Sequence, residues 1–402
     1  MATMRDNVQR VKRFRDLKAT LRTERARLVI GLDIGKTQHV AQVRLAHTQV
    51  LEKAVAIPNT TAGFRAFWRQ VEAHQHSTGV AEVVVALEPT GTYHQAIAVF
   101  LETQGADVVF VSNAVAHLNR RTQDGTWDKS DPKDAANLGD LLEQGKVLFY
   151  VLPEGPTGEL RTLVKLLRQA RTELASCKAR WRNTLRPALA PAGEPLPARV
   201  HAALPARLRA WEPAPTASAR TIRVGVGWRA ACHDLTARVA AAEARIGHLE
   251  AVLEEVVAPL PAFGLLQTIP GVGPTLAAIL VAEIGDIAWY TKVSQLRKLA
   301  GLDIIRLQSG QWAGTPRISR NGRPLLRWAL YQAALGATRT AAGQAAHAAR
   351  LAKRAGDRHA GLKAMVEGAA QILRTVWGVW RSRLPYDPTR APGRHVGQRP
   401  TA

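Results

Sequence analysis

The first third of the chain alternates short apolar runs with amphipathic stretches of helical period. Three successive strands are predicted at LVIGLD, HVAQVRL and TQVLEKAVAI, followed by a helix at GFRAFWRQVEAH. The pattern continues with a buried strand at EVVVALE, a helix at YHQAIAVFLETQG, a strand at ADVVFVS and a helix from about Asp131 to Gln144. This pattern predicts a mixed α/β domain at residues 28–150, preceded by a basic arm at residues 1–27.

A different period begins near Leu160. Apolar residues then recur three and four positions apart in two long stretches, which predicts two helices with a narrow apolar seam. The seam positions are Leu160, Leu163, Leu167, Ala170, Leu174, Cys177 and Trp181 in the first stretch, and Leu235, Val239, Ala242, Ile246, Leu249, Leu253, Val256 and Leu260 in the second. We expect residues 151–260 to form a coiled coil or helical hairpin that acts as a spacer or dimerisation element. A Pro- and Ala-rich insertion at residues 187–222 interrupts it.

The remaining residues predict a mainly α domain at 261–384. A helix, a tight glycine-rich turn and a second helix are predicted at LLQTIPGVGPTLAAILVAEIG. After them come SQLRKLAGL, a basic loop, and two further helices at RPLLRWALYQAALGATR and LKAMVEGAAQILRTVWGVWRS. Residues 385–402 are rich in Pro, Gly and Arg, and we expect this tail to be disordered.

The charge of the chain narrows the choice of partner. The 402 residues include 55 Lys and Arg against 32 Asp and Glu, a formal net charge of +23. So strong a positive charge points to a polyanion, with nucleic acid the leading candidate. The two cysteines, Cys177 and Cys232, fit neither a zinc-binding nor a disulfide pattern, and no run is long and apolar enough for a signal peptide or membrane span. We expect a cytoplasmic protein with no membrane partner.

Four acids fall where a metal site for phosphodiester chemistry needs them. Asp33 ends the strand in VIGLDIGK, Glu88 ends the strand in VVVALEPTG, and Asp131 and Asp134 lie three apart at the start of the helix in KSDPKDAA. Convergent carboxylates are the hard oxygen ligands that Mg²⁺ prefers. Each acid also has a structural interpretation, because Asp131 precedes Pro132 as a helix N-cap would, and the strand-terminal acids could simply bound a surface strand. As a set, the four favour metal binding.

The element order of residues 28–150 is that of a ribonuclease-H-like α/β domain. In that layout the two strand-terminal carboxylates lie at neighbouring central strand ends. A competing interpretation comes from GLDIGKT, because a strand followed by Asp-x-Gly-x-Thr resembles the first phosphate loop of actin-like ATPases and sugar kinases, which share the sheet topology. That superfamily requires a second glycine-rich phosphate loop in a duplicated domain, whereas the later chain has heptad helices.

Two features of the last domain suggest contact with nucleic acid. In the turn IPGVGP, Gly271 and Gly273 would let backbone N–H groups at the start of the next helix approach a phosphate, as in helix-hairpin-helix modules. The alternative is an ordinary turn whose glycines serve packing. Between Thr291 and Leu330 there are eight Lys or Arg and a single acid, Asp303. The arginines of this segment that we expect to bind nucleic acid are Arg306, Arg317, Arg320, Arg323 and Arg327.

Ser309, which precedes Gly310 in this basic segment, is a candidate nucleophile. A serine hydroxyl attacks phosphorus only with help from a metal, a base or cationic neighbours, and arginines could supply part of that help. A Ser-Gly pair is also a common turn, and Ser319 competes for the same role.

Together these segments resemble the DEDD-type transposases of insertion sequences, which are described as bridge-RNA-guided serine recombinases related to Piv-type DNA invertases. The matching segments are GLDIGK, ALEPTGTYH, KSDPKDAANL, LLQTIPGVGPTLAAILVAEIG and LRKLAGLDIIRLQSGQWAGTPRISRNGRPLLRWALYQAA. They cover the amino-terminal domain and most of the carboxyl-terminal one. The chain departs from the family pattern in its longer Pro- and Ala-rich insertion and in Trp312, which stands where small or polar residues are commoner.

The resemblance implies a function beyond what spacing shows. The first domain would be RuvC-like, with Asp33, Glu88, Asp131 and Asp134 holding Mg²⁺, and Ser309 would form a covalent link to DNA during strand exchange. The coiled coil would form a dimer, and a tetramer would assemble on donor and target DNA, with the metal site of one protomer completed by the serine of another. A structured noncoding guide RNA from the element would pair with both DNAs and select them.

We therefore expect an RNA-guided, Mg²⁺-dependent DNA recombinase that acts in the cytoplasm of a prokaryote, in association with the nucleoid. Three alternatives stay open. The nearest is a RuvC-like resolvase or nuclease that hydrolyses branched DNA with water as the nucleophile. The others are an actin-like protein that hydrolyses nucleotides and a non-catalytic scaffold that binds nucleic acid.

Overall fold

The computed structural model describes residues 4–89, 91–123, 130–149, 155–190, 194–215, 225–306, 308–309 and 312–390. The chain divides into two compact units, Met1–Leu152 and Pro153–Ala402. This boundary lies close to the change of hydrophobic period near Leu160. Most of the tail expected to be disordered, residues 391–402, lies outside the described residues.

The first unit is built on a mixed five-stranded sheet. Its strands are β1 (Arg27–Asp33), β2 (Gln38–Leu45), β3 (Gln49–Pro58), β4 (Glu82–Leu87) and β5 (Asp107–Phe110). They lie in the order β3-β2-β1-β4-β5, with β1 antiparallel to β2, β2 antiparallel to β3, and β1, β4 and β5 mutually parallel. The structure confirms all five predicted strands and the mixed α/β class of this unit.

Helices cover both faces of the sheet. They are α1 (Met4–Thr20), α2 (Thr61–Thr78), α3 (His94–Thr103), α4 (Asn113–Gln123) and α5 (Asp131–Glu143). Leu28, Ile30 and Leu32 of β1 pack on one face against side chains of α2 and α3. On the other face, Val29 of β1 packs with Leu138 of α5. The helix predicted from about Asp131 is confirmed, whereas α4 was not predicted.

The basic arm predicted at residues 1–27 contains α1, and this helix packs on the first unit. Val11 and Leu21 are buried. Several cations of this segment pair with the same unit: Arg13 Nε lies 2.8 Å from Asp107 Oδ1, and Lys18 Nζ donates to the carbonyl oxygen of Val147 at 2.8 Å. Part of the charge of the arm therefore serves attachment to the sheet.

Helix α5 lies unusually close to the central strand β1. A Cβ atom added to Gly31 would lie 2.6 Å from the backbone nitrogen of Gly139 and closer still to the carbonyl oxygen of Ala135. Real Cβ atoms do not approach backbone so closely, so only glycine fits at position 31 with the helix in this place. The glycine thus fixes the height of α5 above the sheet.

The side chain of Arg44, on the neighbouring strand β2, fixes the position of α5 along the sheet. Its Nη1 lies 2.6 Å from Asp140 Oδ1 and 3.2 Å from Glu143 Oε2, and its Nη2 donates to the carbonyl oxygen of Ala136 at 3.0 Å. The guanidinium is largely buried, where such charge-assisted bonds are strongest. Because Arg44 is paired with Val29 across the sheet, the last turns of α5 lie beside the middle of β1.

The second unit begins with a helical hairpin. Its elements are α6 (Gly155–Arg180), a π-helical turn (Trp181–Leu185), a 3-10 turn (Arg186–Ala188), α7 (Ala198–Ala203), α8 (Ala206–Arg209) and α9 (Val226–Val257). Helices α6 and α9 run antiparallel, since Arg171 contacts Glu250 at 2.5 Å while Glu173 lies 3.9 Å from Arg245. The predicted seam residues are buried or half-buried between the helices of this one chain. The structure therefore supports the helical-hairpin alternative, and a role in dimerisation stays a prediction.

The described residues of the predicted Pro- and Ala-rich insertion, 187–190 and 194–215, form a small cap on the far end of this hairpin. Trp181, which is fully buried, packs there with Leu196 and Leu208. Trp181 Nε1 donates to Glu212 Oε1 at 2.8 Å, and Arg186 Nε donates to the other carboxylate oxygen of Glu212 at 3.0 Å. These bonds satisfy the buried carboxylate and fasten the described part of the insertion to the two turns that follow α6.

The rest of the second unit is helical and shares one hydrophobic core with the base of the hairpin. Its helices are α10 (Pro261–Gln267), α11 (Pro274–Ile284), α12 (Val293–Ala300), α13 (Pro324–Ala337), α14 (Ala341–Ala352) and α15 (Ala360–Ser382), with a 3-10 turn at Ile287–Trp289. Four two-residue strands interrupt the predicted basic loop: β6 (Ile304–Ile305), β7 (Gln308–Ser309), β8 (Trp312–Ala313) and β9 (Arg317–Ile318). None of the helices in the described ranges combines the length and apolar character that crossing a bilayer requires.

Replacing Gly31 by Ala should displace α5 from the sheet. We expect the substitution to lower the free energy of unfolding by about 1–3 kcal/mol, because the added methyl group must push the helix backbone away. Urea unfolding followed by circular dichroism would measure this. Gly247→Ala in α9, where a Cβ meets open space, is the control and should be neutral or stabilising. An unchanged unfolding free energy for Gly31→Ala would contradict the close packing described here.

Candidate active site

Asp33 and Glu88 occupy equivalent positions at the carboxyl ends of two adjacent parallel strands. The register pairs Leu32 of β1 with Leu87 of β4, so the next residues along the two strands are Asp33 and Glu88. Side chains alternate between faces along a strand, and both acids therefore lie on the face that packs against α5. Both are half-buried and have interaction partners. The prediction that these acids lie at neighbouring strand ends agrees with this register.

The first turn of α5 carries the other two acids. Gly31 lies against Ala135 and Gly139, and Arg44, opposite Val29, reaches Asp140 and Glu143. The helix therefore runs back along β1, and its first turn lies toward the carboxyl end of the strand. All four predicted acids thus belong to one edge and one face of the sheet.

Burial separates the two acids of α5. Asp134 is 4% exposed, while Asp131 is exposed to solvent. The buried carboxylate is balanced by a cation of its own chain, since Arg120 Nε of α4 lies 2.5 Å from Asp134 Oδ1. A buried carboxylate needs such a partner, because the cost of desolvating an unpaired charge is several kcal/mol.

The chemistry of these four acids fits a magnesium ion. Four carboxylates at one sheet edge provide hard oxygen ligands, and Asp131 is open to solvent, as a ligand to a partly hydrated ion would be. Within the residues that the structure describes, however, no three His, Cys, Asp or Glu side chains are arranged to enclose a metal ion. The structure brings the four acids to one edge, but their carboxylate oxygens do not converge on a common point. Asp134 is instead paired with Arg120.

Two asparagines hold α4 against α5, and the sequence pattern did not predict this contact. Asn137 is 1% exposed; its Nδ2 donates to the carbonyl oxygen of Ala116 at 2.9 Å, and its Oδ1 accepts from Asn119 at 2.8 Å. These bonds place Arg120, one residue further along α4, beside Asp134. A signal was available, because Asn137 lies on the apolar face of α5, where a polar residue needs a partner.

The turn after Asp33 is held by a buried histidine that was also missed. The Nδ1 atom of His39 accepts a hydrogen bond from the backbone N–H of Gly35 at 3.3 Å, and its ring stacks on Phe64 at 6.0 Å between centroids. Burial lowers the pKa of His39, and a hydrogen bond with Asn59 opposes that shift. The imidazole is thereby kept neutral, as accepting from Gly35 requires.

This histidine predicts a pH dependence of stability. Because the pKa of His39 lies below the ordinary value of 6.5 in the folded state, its contribution is fully present above about pH 6.5 and is lost as the pH falls below it. His39→Asn, which keeps an acceptor for Gly35, should reduce the proton uptake on unfolding by up to about one proton. Urea unfolding across this pH range would measure the slope. His76→Asn on the exposed side of α2 is the control, and equal slopes for the two variants would contradict the assignment.

Ser309 lies at the outer end of a short antiparallel ribbon. The inner part pairs Ile304 with Ile318 and Ile305 with Arg317, and the outer part pairs Gln308 with Ala313 and Ser309 with Trp312. The backbone of Ser309 therefore belongs to the outermost described pair of the ribbon. We call residues 304–318 the serine ribbon.

The second candidate nucleophile, Ser319, has a structural role at the base of this ribbon. Its Oγ donates to Asp303 Oδ1 at 2.5 Å, and its backbone N–H donates to the carbonyl oxygen of Asp303 at 2.8 Å. The only acid of the segment is thus bound to Ser319. The hydroxyl of Ser319, the alternative nucleophile predicted from the sequence, instead links the two arms of the ribbon through Asp303.

The predicted arginines fall into two groups. Arg323 donates to the carbonyl oxygen of Glu283, and Arg327 Nη1 donates to that of Ala300 at 3.0 Å, so these two brace the backbone around the ribbon. Partial burial and the nearby charge of Arg320 both lower the pKa of Arg327. The remaining three, Arg306, Arg317 and Arg320, are exposed on or beside the ribbon. A role in nucleic-acid binding stays a prediction for all five.

The two glycines of the predicted IPGVGP turn have different surroundings. Gly271 has a φ of +87° and lies against α13, where an added Cβ would be 3.1 Å from Ala337 Cα and closer to its backbone nitrogen. This close approach agrees with the alternative interpretation of the sequence, in which the glycines of the turn serve packing. Gly273, the N-cap of α11, is exposed, and a Cβ there meets nothing within 4 Å. Of the two, only Gly273 has room for a ligand.

Comparisons with known proteins match the two units of the chain separately. A transposase family of DEDD type, DEDD_Tnp_IS110, matches residues 30–189, and the transposase IS116/IS110/IS902 family matches residues 264–350. The first match contains the four acids and the second contains the serine ribbon. The chain is also 25% identical over 349 residues to "Insertion element IS116 uncharacterized 44.8 kDa protein" of Streptomyces clavuligerus, covering 78% of this chain and 85% of that protein.

The α/β unit, the helical second unit and these matches define a transposase, an enzyme class that processes DNA. Within that class, the chain belongs to the IS110/IS116 family of insertion-sequence transposases.

Proposed function

We propose that this transposase cuts and rejoins DNA by a Mg²⁺-dependent reaction in which Ser309 is the nucleophile. The observation that carries the proposal is the common edge of the first sheet, where Asp33 and Glu88 lie in register and the first turn of α5 brings Asp131 and Asp134. The strand order β3-β2-β1-β4-β5, with the first three strands antiparallel, supports a ribonuclease-H-like, RuvC-like assignment for this unit.

In this proposal, Asp33, Glu88, Asp131 and Asp134 would hold the magnesium. The ion supplies a positive charge that stabilises the extra negative charge developing on the phosphate oxygens. For Asp134 to take part, its carboxylate must exchange Arg120 for the ion. The ribbon of the second unit then presents Ser309 to the phosphodiester, and Arg306, Arg317 and Arg320 neutralise the flanking phosphates.

The proposed covalent step exchanges one phosphoester bond for another. The Oγ atom of Ser309 forms a bond to phosphorus while the bond from phosphorus to one sugar oxygen breaks. The serine proton passes to a neighbouring base, and the leaving sugar oxygen takes up a proton. A phosphoserine link conserves the energy of the broken bond, so the reverse reaction with a different sugar hydroxyl rejoins the strands without an external energy source.

Family resemblance extends the proposal to partners. A structured noncoding guide RNA would pair with donor and target DNA and select them, while the protein would contact mainly the backbone. The chain would assemble as a dimer and then as a tetramer on DNA, so that the acids of one protomer act together with Ser309 of another. The exposed Gly273 at the start of α11 would contribute as part of a helix-hairpin-helix-like motif.

The role of Ser309 can be tested against Ser319 as a matched control. With guide RNA, donor and target DNA and Mg²⁺, we expect the wild type to form a protein-DNA adduct stable to denaturing electrophoresis. Ser309→Ala should abolish the adduct, because it removes the proposed nucleophilic oxygen. Ser319→Ala should retain it, because that hydroxyl serves Asp303. Cleavage that persists in Ser309→Ala, with no adduct from the wild type, would instead indicate a nuclease that uses water.

The acids can be tested separately from the serine. Asp33→Asn and Glu88→Gln should lower the rate of DNA cleavage by several orders of magnitude while leaving DNA affinity intact, because they remove metal ligands without altering the basic surface. Quantitative cleavage and filter-binding assays would separate the two effects. Glu72→Gln, at an exposed acid of α2 on the opposite face, is the control. Cleavage rates unchanged in Asp33→Asn and Glu88→Gln would contradict their proposed role as metal ligands, and no cleavage by the wild type itself would favour a non-catalytic scaffold that binds nucleic acid.

A further inference from the structure

We propose that the second unit carries an additional DNA-binding site, a groove that holds the phosphate backbone of a DNA duplex. The groove lies between α6, α9 and the start of α13, and we call it the hairpin groove. This inference rests on the proposed function in one respect only, namely that the chain acts on DNA. It does not depend on the acids, and the proposed role of Ser309 enters only in the choice of DNA over RNA.

The lining of the hairpin groove is predominantly cationic. The groove has a volume of about 810 Å³ and is lined by Lys165, Arg168 and Arg180 of α6 and Arg238 of α9. The acid among its described lining residues is Glu173, which lies 3.9 Å from Arg245. Four cations against one partly neutralised carboxylate attract a polyanion more strongly than they would a neutral or cationic ligand.

The cations follow a face of α6 that suits a phosphate backbone. Lys165, Arg168 and Arg180 lie on the same face as Thr172 and Ser176, which also line the groove. At 1.5 Å per residue, the distance from Lys165 to Arg180 is about 22 Å. Measured along the duplex axis, one strand of DNA carries roughly six phosphates over that length. Cations with hydroxyl donors between them are the groups that contact phosphate and sugar without regard to base sequence.

Most of this charge is available for a ligand. Arg180 and Arg238 are both exposed, and Arg238 is 3.6 Å from the exposed Asp234, a contact that contributes little in water. The Cζ atom of Arg168 lies 4.8 Å from the ring centroid of Trp328 of α13, a cation–π contact that leaves the positive charge without an acidic partner among the ion pairs of the described residues. Within the described residues, these three arginines form no buried ion pair, in contrast to Arg44 of the first unit.

The second observation is the start of α13 in the groove. Pro324 and Leu325, the first residues of this 14-residue helix, line it, and the amino end of a helix favours negative charge. Helix α13 begins directly after the segment that contains the serine ribbon. In α13, Arg327 Nη1 also donates to the carbonyl oxygen of Arg320 beside the base of the ribbon at 3.3 Å. A duplex held in the hairpin groove would therefore lie near the segment that carries the proposed nucleophile, and for this reason we assign the groove to DNA in preference to RNA.

The test is a salt titration of DNA binding by the full-length protein. The groove variant is Arg180→Gln with Arg238→Gln, and the control is Lys353→Gln with Arg358→Gln, two exposed cations beyond the groove. Both variants lose the same charge. With a short duplex of arbitrary sequence, the slope of log affinity against log salt should fall by about two for the groove variant, one per lost phosphate contact, and should be unchanged for the control.

Three results would overturn the proposal. The first is a groove variant with the wild-type slope. The second is an equal fall for the control, which would mean that only total charge matters. The third is a loss of affinity confined to an RNA duplex of the same sequence, which would assign the groove to RNA. Failure of the serine mechanism is distinguishable, because it would abolish the covalent adduct while leaving this difference in slopes intact.

Discussion

The close contact between α5 and β1 at Gly31 is the constraint on which the candidate active site depends. Without a side chain at this position, the helix backbone reaches the strand backbone, and Arg44 then sets how far along the strand the helix lies. The four acids come from three separate segments, so their common edge exists only while this contact holds. Packing at one residue thus governs the chemistry available two residues further along the same strand.

Much of the first unit could be predicted because its signals are local. Five apolar runs of strand length gave the five strands, and the register of β1 with β4 places Asp33 and Glu88 at neighbouring strand ends, as the element order implied. Helix α4 escaped notice because its sequence, NAVAHLNRRTQ, has few apolar residues. The pairing of Arg120 with Asp134 could not be foreseen either, because it joins residues from two helices whose approach depends on the tertiary bonds of Asn137.

Prediction from the sequence is limited in a similar way in the second unit. The heptad pattern predicted two long helices but could not tell whether their seams meet within one chain or between chains, since the same side chains serve both. The structure places them in one hairpin. The basic loop concealed a ribbon, because two-residue strands carry no periodic signal. Two of its five predicted arginines are bound to backbone carbonyl oxygens, a function that charge alone does not reveal.

The ion pair between Arg120 and Asp134 affects how the first unit folds before any substrate is bound. Acids that lie close together at a sheet edge repel one another. A fold that relied on divalent cations to neutralise them would form only where those cations are present. Here an internal counterion relieves that repulsion. Folding of the first unit therefore need not wait for a metal ion, and in the proposed site the binding of a cation would be an exchange of partners at Asp134.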